Sequence, residues 1–174
     1  AGGVGGVAIQ LMKRQGATVI GLTSSQEKAD TARSLGADHV LPYEGFADAV
    51  EEITGGRGAD VVYDSVGKNS WEISLDCVAP RGLLVSFGNA SGAVTGVNLG
   101  VLAQKGSLFV TRPTLAGYAD TPERLQAMAD ELFEMIGSGK VKVEIGQRYA
   151  LGDAAEAQRK LAAGETTGST ILLP

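Results

Sequence analysis

Two spacings of apolar residues alternate along this chain. Compact runs rich in Val, Ile and Leu read as buried strands at Ala17–Leu22, His39–Leu41, Asp60–Tyr63, Leu83–Phe87 and Ser107–Arg112. Between them, apolar positions recur three and four residues apart, which predicts helices. Val7, Ala8, Leu11 and Met12 form the first stripe, ended by Gly16. Ser25 caps a second helix that runs to Leu35 and stops at Gly36. Phe46–Thr54 turns Ala49, Val50 and Ile53 inward and ends at Gly55-Gly56, and Asn69–Val78 carries Trp71, Leu75 and Val78. Residues 93–106 read as a connection with a helical turn near Leu99–Ala103. The clearest helix is Thr121–Ile136: Thr121 caps it, Pro122 takes the first helical position, and Leu125, Met128, Leu132, Phe133 and Ile136 make its stripe.

This alternation over residues 1–136 argues an α/β fold with a doubly wound parallel sheet of the Rossmann type. Right-handed crossovers leave few other topologies. The tail changes character. Val141–Ile145 and Arg148–Leu151 read as extended, Asp153 caps an Ala-rich helix to Ala163, and Ser169–Leu173 reads as a last strand.

Composition narrows the function classes. A chain of 174 residues is one domain by length, and 44% hydrophobic with 20% charged residues is ordinary for a soluble globular protein. A net charge of −5 gives no electrostatic footprint for nucleic acid or an anionic membrane. No apolar run approaches the roughly 20 residues of a membrane span. One cysteine (Cys77) and one histidine (His39) exclude a disulfide within the chain and argue against a Cys/His zinc site, so no metal is expected. The expected compartment is the cytoplasm. Cys77 lies on an apolar helical face and reads as a buried small hydrophobe. His39, at a strand start, reads as structural.

The first candidate chemistry is Gly3-Val4-Gly5-Gly6-Val7-Ala8, a glycine-x-glycine-x-x-alanine spacing. Such a turn lets backbone N–H groups approach a pyrophosphate at a helix N-terminus. Dinucleotide domains selective for NAD place a carboxylate about 20 residues further on, at the tip of the second strand. Here that tip reads Thr23-Ser24-Ser25-Gln26-Glu27-Lys28, with no carboxylate at the strand end itself. Small hydroxyls leave room for a ribose 2′-phosphate, and Lys28, one helical turn on, can answer its charge. The same residues would also serve as a helix cap with a solvated lysine. Tyr43 follows a strand and Pro42, where a ring can flank an adenine or be half buried for packing alone. Asp64-Ser65 and Phe87-Gly88-Asn89-Ala90 leave successive strands at the carboxyl ends, where open α/β sheets bind ligands. Gly88 permits close backbone approach there. Val110-Thr111-Arg112 ends the next strand.

Taken as a set, these stretches resemble a known family. The glycine turn, the Thr-Ser-Ser and Pro-Tyr strand exits, Val62-Tyr63-Asp64-Ser65-Val66-Gly67, Ser86–Gly92, Gly106–Pro113 and Thr167-Gly168-Ser169 are similar to those of the zinc-independent NADPH:quinone oxidoreductases. These are the zeta-crystallin-like branch of the medium-chain dehydrogenase/reductase superfamily. The resemblance runs over the whole chain. It implies an NADP-binding Rossmann domain at residues 1–136 that lacks its first strand. It also implies that residues 137–174 partly belong to a GroES-like catalytic domain that is itself absent from the chain.

The resemblance also implies roles. Gly3, Val4 and Gly5 would face the pyrophosphate, and Ser24, Ser25 and Lys28 would bind the 2′-phosphate of NADPH. Tyr43 would flank the adenine. Ser65, Phe87, Gly88, Asn89, Ala90, Val110, Thr111 and Arg112 would lie near the nicotinamide side. The family often has an arginine where this chain has Gly164. No acid–base constellation stands out, so no catalytic residue is assigned. The implied reaction is zinc-independent hydride transfer from NADPH to a quinone or a related α,β-unsaturated carbonyl. An enoyl or acryloyl thioester reductase, or a non-catalytic NADP-binding module, is the alternative. Strand 107–112 would be the outer strand in a 3-2-1-4-5-6 order and would pair with its copy in a homodimer. Its central strand would precede Ala1. The vacant place between 17–22 and 60–63 would be filled by a family strand outside this chain or, less favourably, by Ser169–Leu173.

Overall fold

A computed structural model describes residues 2–174, which form two compact units: the residues up to Glu44 with Met128–Pro174, and Gly45–Ala127. The fold is mixed α/β, and every strand pair is parallel.

The first unit opens with helix α1 (Gly3–Arg14), then β1 (Ile20–Thr23), α2 (Gln26–Ser34) and β2 (His39–Pro42). β1 and β2 pair in register from Ile20↔His39 to Thr23↔Pro42. Ile9, Val19, Ala32 and Ala37 make the buried cluster, closed by Met12, Leu35 and Val40. Ser25 caps α2 as its sequence predicts, its hydroxyl accepting from the Lys28 N–H at 3.3 Å.

The second unit holds α3 (Phe46–Ile53), β3 (Ala59–Asp64), α4 (Trp71–Asp76), β4 (Val78–Ser86), α5 (Gly100–Gln104), β5 (Phe109–Thr111) and α6 (Leu115–Tyr118). Its sheet has the order β3-β4-β5. Leu75, Val78, Leu84 and Leu108 pack with Trp71, Val101 and Leu102 to form the core. The helix expected to reach Val78 stops at Asp76, and Val78 instead starts β4, opposite Ala59. Val78 is buried in either reading, which is why the apolar spacing did not separate them. β5 is shorter than the predicted strand, and α6 was not predicted; the Thr114 hydroxyl caps α6 by accepting from the Gly117 N–H at 3.2 Å.

Helix α7 (Pro122–Gly137) leads back to the first unit, where β6 (Ile145–Ala150), α8 (Ala154–Ala162) and β7 (Ser169–Leu173) follow. Residues 141–144, expected to be extended, lie outside the strands. They are held to α1 by Gln10, whose amide donates to the Lys142 carbonyl and accepts from the Lys142 N–H, both at 2.8 Å.

Among the described residues the strands fall into the sets β1-β2, β3-β4-β5 and β6-β7. Within each unit the first two sets reproduce the neighbour pairs expected of an order with one vacant place. The expectation that Ser169–Leu173 fills that place is corrected, because β7 pairs along its length with β6. No helix among the described residues is long and apolar enough to cross a membrane.

Candidate functional site

In the first unit the glycines do not form a free turn. The backbone is helical from Gly3, and Gly2 is the N-cap. This corrects the reading of Gly3, Val4 and Gly5 as a turn that precedes the helix. Two of the glycines have packing reasons. A Cβ on Gly3 would meet the Ser169 hydroxyl at 2.6 Å, and one on Gly6 would meet Leu35 Cδ1 at 3.1 Å. Gly6 thus lets α1 lie close to Leu35. Val4 and Gly5 are exposed, and a Cβ on Gly5 would meet open space. The N–H groups of the first helical turn lack intrahelical acceptors, as at any helix start.

Ser24, Ser25 and Lys28 are brought together at the carboxyl end of β1. The Lys28 ammonium donates to the Ser24 hydroxyl at 3.3 Å and to the Gly164 carbonyl at 2.7 Å. Both serine oxygens are thus occupied as acceptors, which leaves their O–H hydrogens free to turn outward. The result is two hydroxyl donors and one ammonium on an exposed strand tip. Tyr43 lies one residue past Pro42, the register partner of Thr23, and is 52% exposed. It therefore stands at the neighbouring strand tip, about 4.8 Å away by sheet spacing.

In the second unit, Ser65, Phe87, Gly88, Asn89 and Ala90 form one assembly. Their backbones are bonded across the two strand exits: Phe87 N–H to Asp64 O at 2.8 Å, Ala90 N–H to Ser65 O at 3.1 Å, and Ser91 N–H to Val66 O at 2.8 Å. The exits approach so closely that a Cβ on Gly88 would lie 2.2 Å from the Ser65 carbonyl oxygen. Arg112 braces this assembly. Its Nη1 donates to the carbonyls of Ser86 at 3.0 Å and Gly88 at 2.9 Å. With the Asn89 amide turned to donate to the Gly88 carbonyl, its oxygen accepts from Arg112 Nη2 at 3.2 Å. Arg112 is therefore not a free surface charge. Val110 and Thr111 precede it on β5, where Phe109 is 62% exposed along the outer strand.

The sequence places Asp64 only at the carboxyl end of a strand. It is instead the hub of this end of the sheet, 5% exposed. Its carboxylate accepts from the N–H groups of Val66 (2.7 Å) and Gly67 (3.0 Å) and from the hydroxyls of Ser70 (2.6 Å) and Ser74 (2.8 Å). Burial pushes its carboxyl up, but these four bonds outweigh burial and hold it below the ordinary carboxylate value. The signal available in the sequence was the Asp-Ser-Val-Gly stretch, an Asx-turn spacing. Burial pushes the Cys77 thiol up to about 11, so it is protonated and unreactive at neutral pH.

The sequence model of the zinc-binding dehydrogenase family matches residues 3–138. The chain is 64% identical to a quinone oxidoreductase of Pseudomonas aeruginosa, covering all of this chain and 54% of that protein. It is 41% identical to a 2-haloacrylate reductase of a Burkholderia species, again over all of this chain and 53% of the other. It superposes on the crystal structure of Escherichia coli quinone oxidoreductase complexed with NADPH with a TM-score of 0.96 and 52% identity, covering all of this chain and 55% of that one. The chain thus spans about half the length of the relatives it matches.

Proposed function

The chain belongs to the zinc-binding dehydrogenase family, and on that premise we propose that it is the NADPH-binding part of a reductase acting on quinones. The observation that carries this reading is the strand tip of Ser24, Ser25 and Lys28: two hydroxyls and an ammonium, at the position where a carboxylate would select NADH. A dianionic 2′-phosphate matches that donor set. The Gly3–Gly5 start of α1 would take the pyrophosphate, Tyr43 the adenine face, and Ser65, Phe87–Ala90 and Val110–Arg112 the nicotinamide side. The cofactor supplies the hydride. The protein residues bind and orient it. Arg112 would act chiefly by holding the Gly88 backbone and the Asn89 side chain in place.

The similarity to a quinone oxidoreductase supports a quinone as acceptor, and the similarity to a 2-haloacrylate reductase favours an α,β-unsaturated acid as the second reading. We further propose that this chain brings no zinc of its own. Its single histidine and its single, buried cysteine support this. A cytoplasmic location is part of the same proposal. Residues 1–136 would form the cofactor domain and 137–174 a segment shared with a catalytic domain.

The test is cofactor discrimination by the full-length protein. NADPH should bind more tightly than NADH, and Lys28→Ala should narrow the gap by about 1–3 kcal/mol, the scale of a charge-assisted hydrogen bond. Equal affinities in the unaltered protein would sink the reading.

The exposed outer strand supports a homodimer in which β5 pairs with its copy, since Phe109 and Val110 make a poor free edge. Sedimentation at micromolar concentration should give a dimer, and Val110→Lys should shift it towards monomer. A monomeric unaltered protein would overturn this.

A further inference from the structure

Lys28 makes a contact that the capping of α2 does not require. Its ammonium reaches across 136 residues of sequence to the Gly164 carbonyl, and this 2.7 Å bond is shorter than its bond to Ser24. Gly164 is built to present that carbonyl. It follows the last residue of α8 and its C-cap, Ala163, with φ of +72°. The Gly164 N–H donates to Leu161 O at 3.1 Å and the Glu165 N–H to Lys160 O at 3.1 Å. This is the paired-bond helix ending that requires a left-handed residue, normally glycine. A Cβ at Gly164 would meet nothing within 4 Å, so the position restricts conformation and not volume.

We infer that Gly164 is a positioning residue for cofactor discrimination: its carbonyl fixes the Lys28 ammonium where the ribose 2′-phosphate docks. This rests on the reading of Ser24, Ser25 and Lys28 as the phosphate cradle. The physical reason is the nature of lysine. Its ammonium sits on a flexible stem that loses rotamer freedom when it is fixed. Of its three N–H donors, one goes to Gly164 and one to Ser24, so the third remains for an anion. Fixing the stem before binding removes an ordering cost from the binding step. A neutral carbonyl leaves the positive charge intact, whereas a carboxylate in its place would cancel it.

The experiment measures NADPH and NADH affinity of the full-length protein by fluorescence titration, with no turnover involved. Gly164→Val disfavours the left-handed cap, whereas Gly164→Asn tolerates it. Gly164→Val should weaken NADPH about tenfold, the effect of degrading one charge-assisted contact, and leave NADH within about twofold. Gly164→Asn should match the unaltered protein. In a Lys28→Met background, Gly164→Val should add nothing further. If Gly164→Val does not fold, Gly164→Ala carries the same comparison with a smaller effect. Unchanged NADPH binding in the folded variant, equal weakening of both cofactors, or additivity with Lys28→Met would each overturn the inference. Lys28→Met leaving discrimination untouched would instead overturn the cradle reading, and this inference with it.

Discussion

Asp64→Ala should destabilise the second unit by about 3–4 kcal/mol, a large part of a domain's roughly 5–15 kcal/mol. The carboxylate satisfies four donors at once. The hydroxyls can rotate, and Ser70 already reaches the Gly67 carbonyl at 3.2 Å. The Val66 and Gly67 N–H groups have no such freedom, so they carry most of the loss. Asp64→Asn keeps one acceptor oxygen for those N–H groups, and its amide can donate to the serines. It should cost only about 1–2 kcal/mol. Chemical denaturation of both variants checks the order.

The pH dependence follows from the same bonds. The folded carboxyl titrates below its ordinary value. Its contribution is therefore complete above about pH 4, the unfolded value, and is lost as pH falls through the folded one. The stability gap between the unaltered protein and Asp64→Asn should accordingly close on acidification. A gap that stays constant to low pH would contradict this account of Asp64.

Gly88→Ala should cost about 3 kcal/mol, at the upper end for overpacking. The added carbon would lie 2.2 Å from the Ser65 carbonyl oxygen, 2.6 Å from its Cα and 2.7 Å from its carbonyl carbon. All three are backbone atoms, so no side chain can swing aside. The two strand exits must separate, which breaks the bond from Ala90 N–H to Ser65 O and moves the Gly88 carbonyl away from Arg112. Cofactor affinity should therefore fall together with stability. Gly5→Ala, where a Cβ meets open space, is the contrasting control and should be nearly neutral for folding.

Local features of the chain were readable in advance. Ser25 as a cap, Pro122 at the start of α7 and the parallel pairs β1-β2 and β3-β4-β5 follow from residue type and spacing. Boundaries failed where two readings shared one burial pattern. Val78 fits the stripe of Trp71 and Leu75, yet it is the first residue of β4. The glycine-x-glycine-x-x-alanine spacing argued for a turn at Gly3–Gly5, but the backbone is helical from Gly3, where Gly3 and Gly6 pack close to Ser169 and Leu35.

The site was legible in part. Strand-tip position and hydroxyl chemistry pointed to Ser24, Ser25 and Lys28. The role of Gly164 depends on a contact spanning 136 residues, and that of Asp64 on serines six and ten positions away. Neither pairing has a local pattern. The brace that Arg112 forms on Ser86 and Gly88 likewise exists only once β4 and β5 lie side by side.

As proposed above, this chain would hold NADPH for hydride transfer to a quinone in the full-length protein. The most direct measurement is anaerobic oxidation of NADPH by the full-length protein, followed at 340 nm as a quinone is added. Oxidation should depend on the quinone, run faster with NADPH than with NADH, and lose that preference in Lys28→Ala. NADPH that binds but is not oxidised by any quinone or enone would contradict the proposal, and would mark the protein as a nucleotide-binding module.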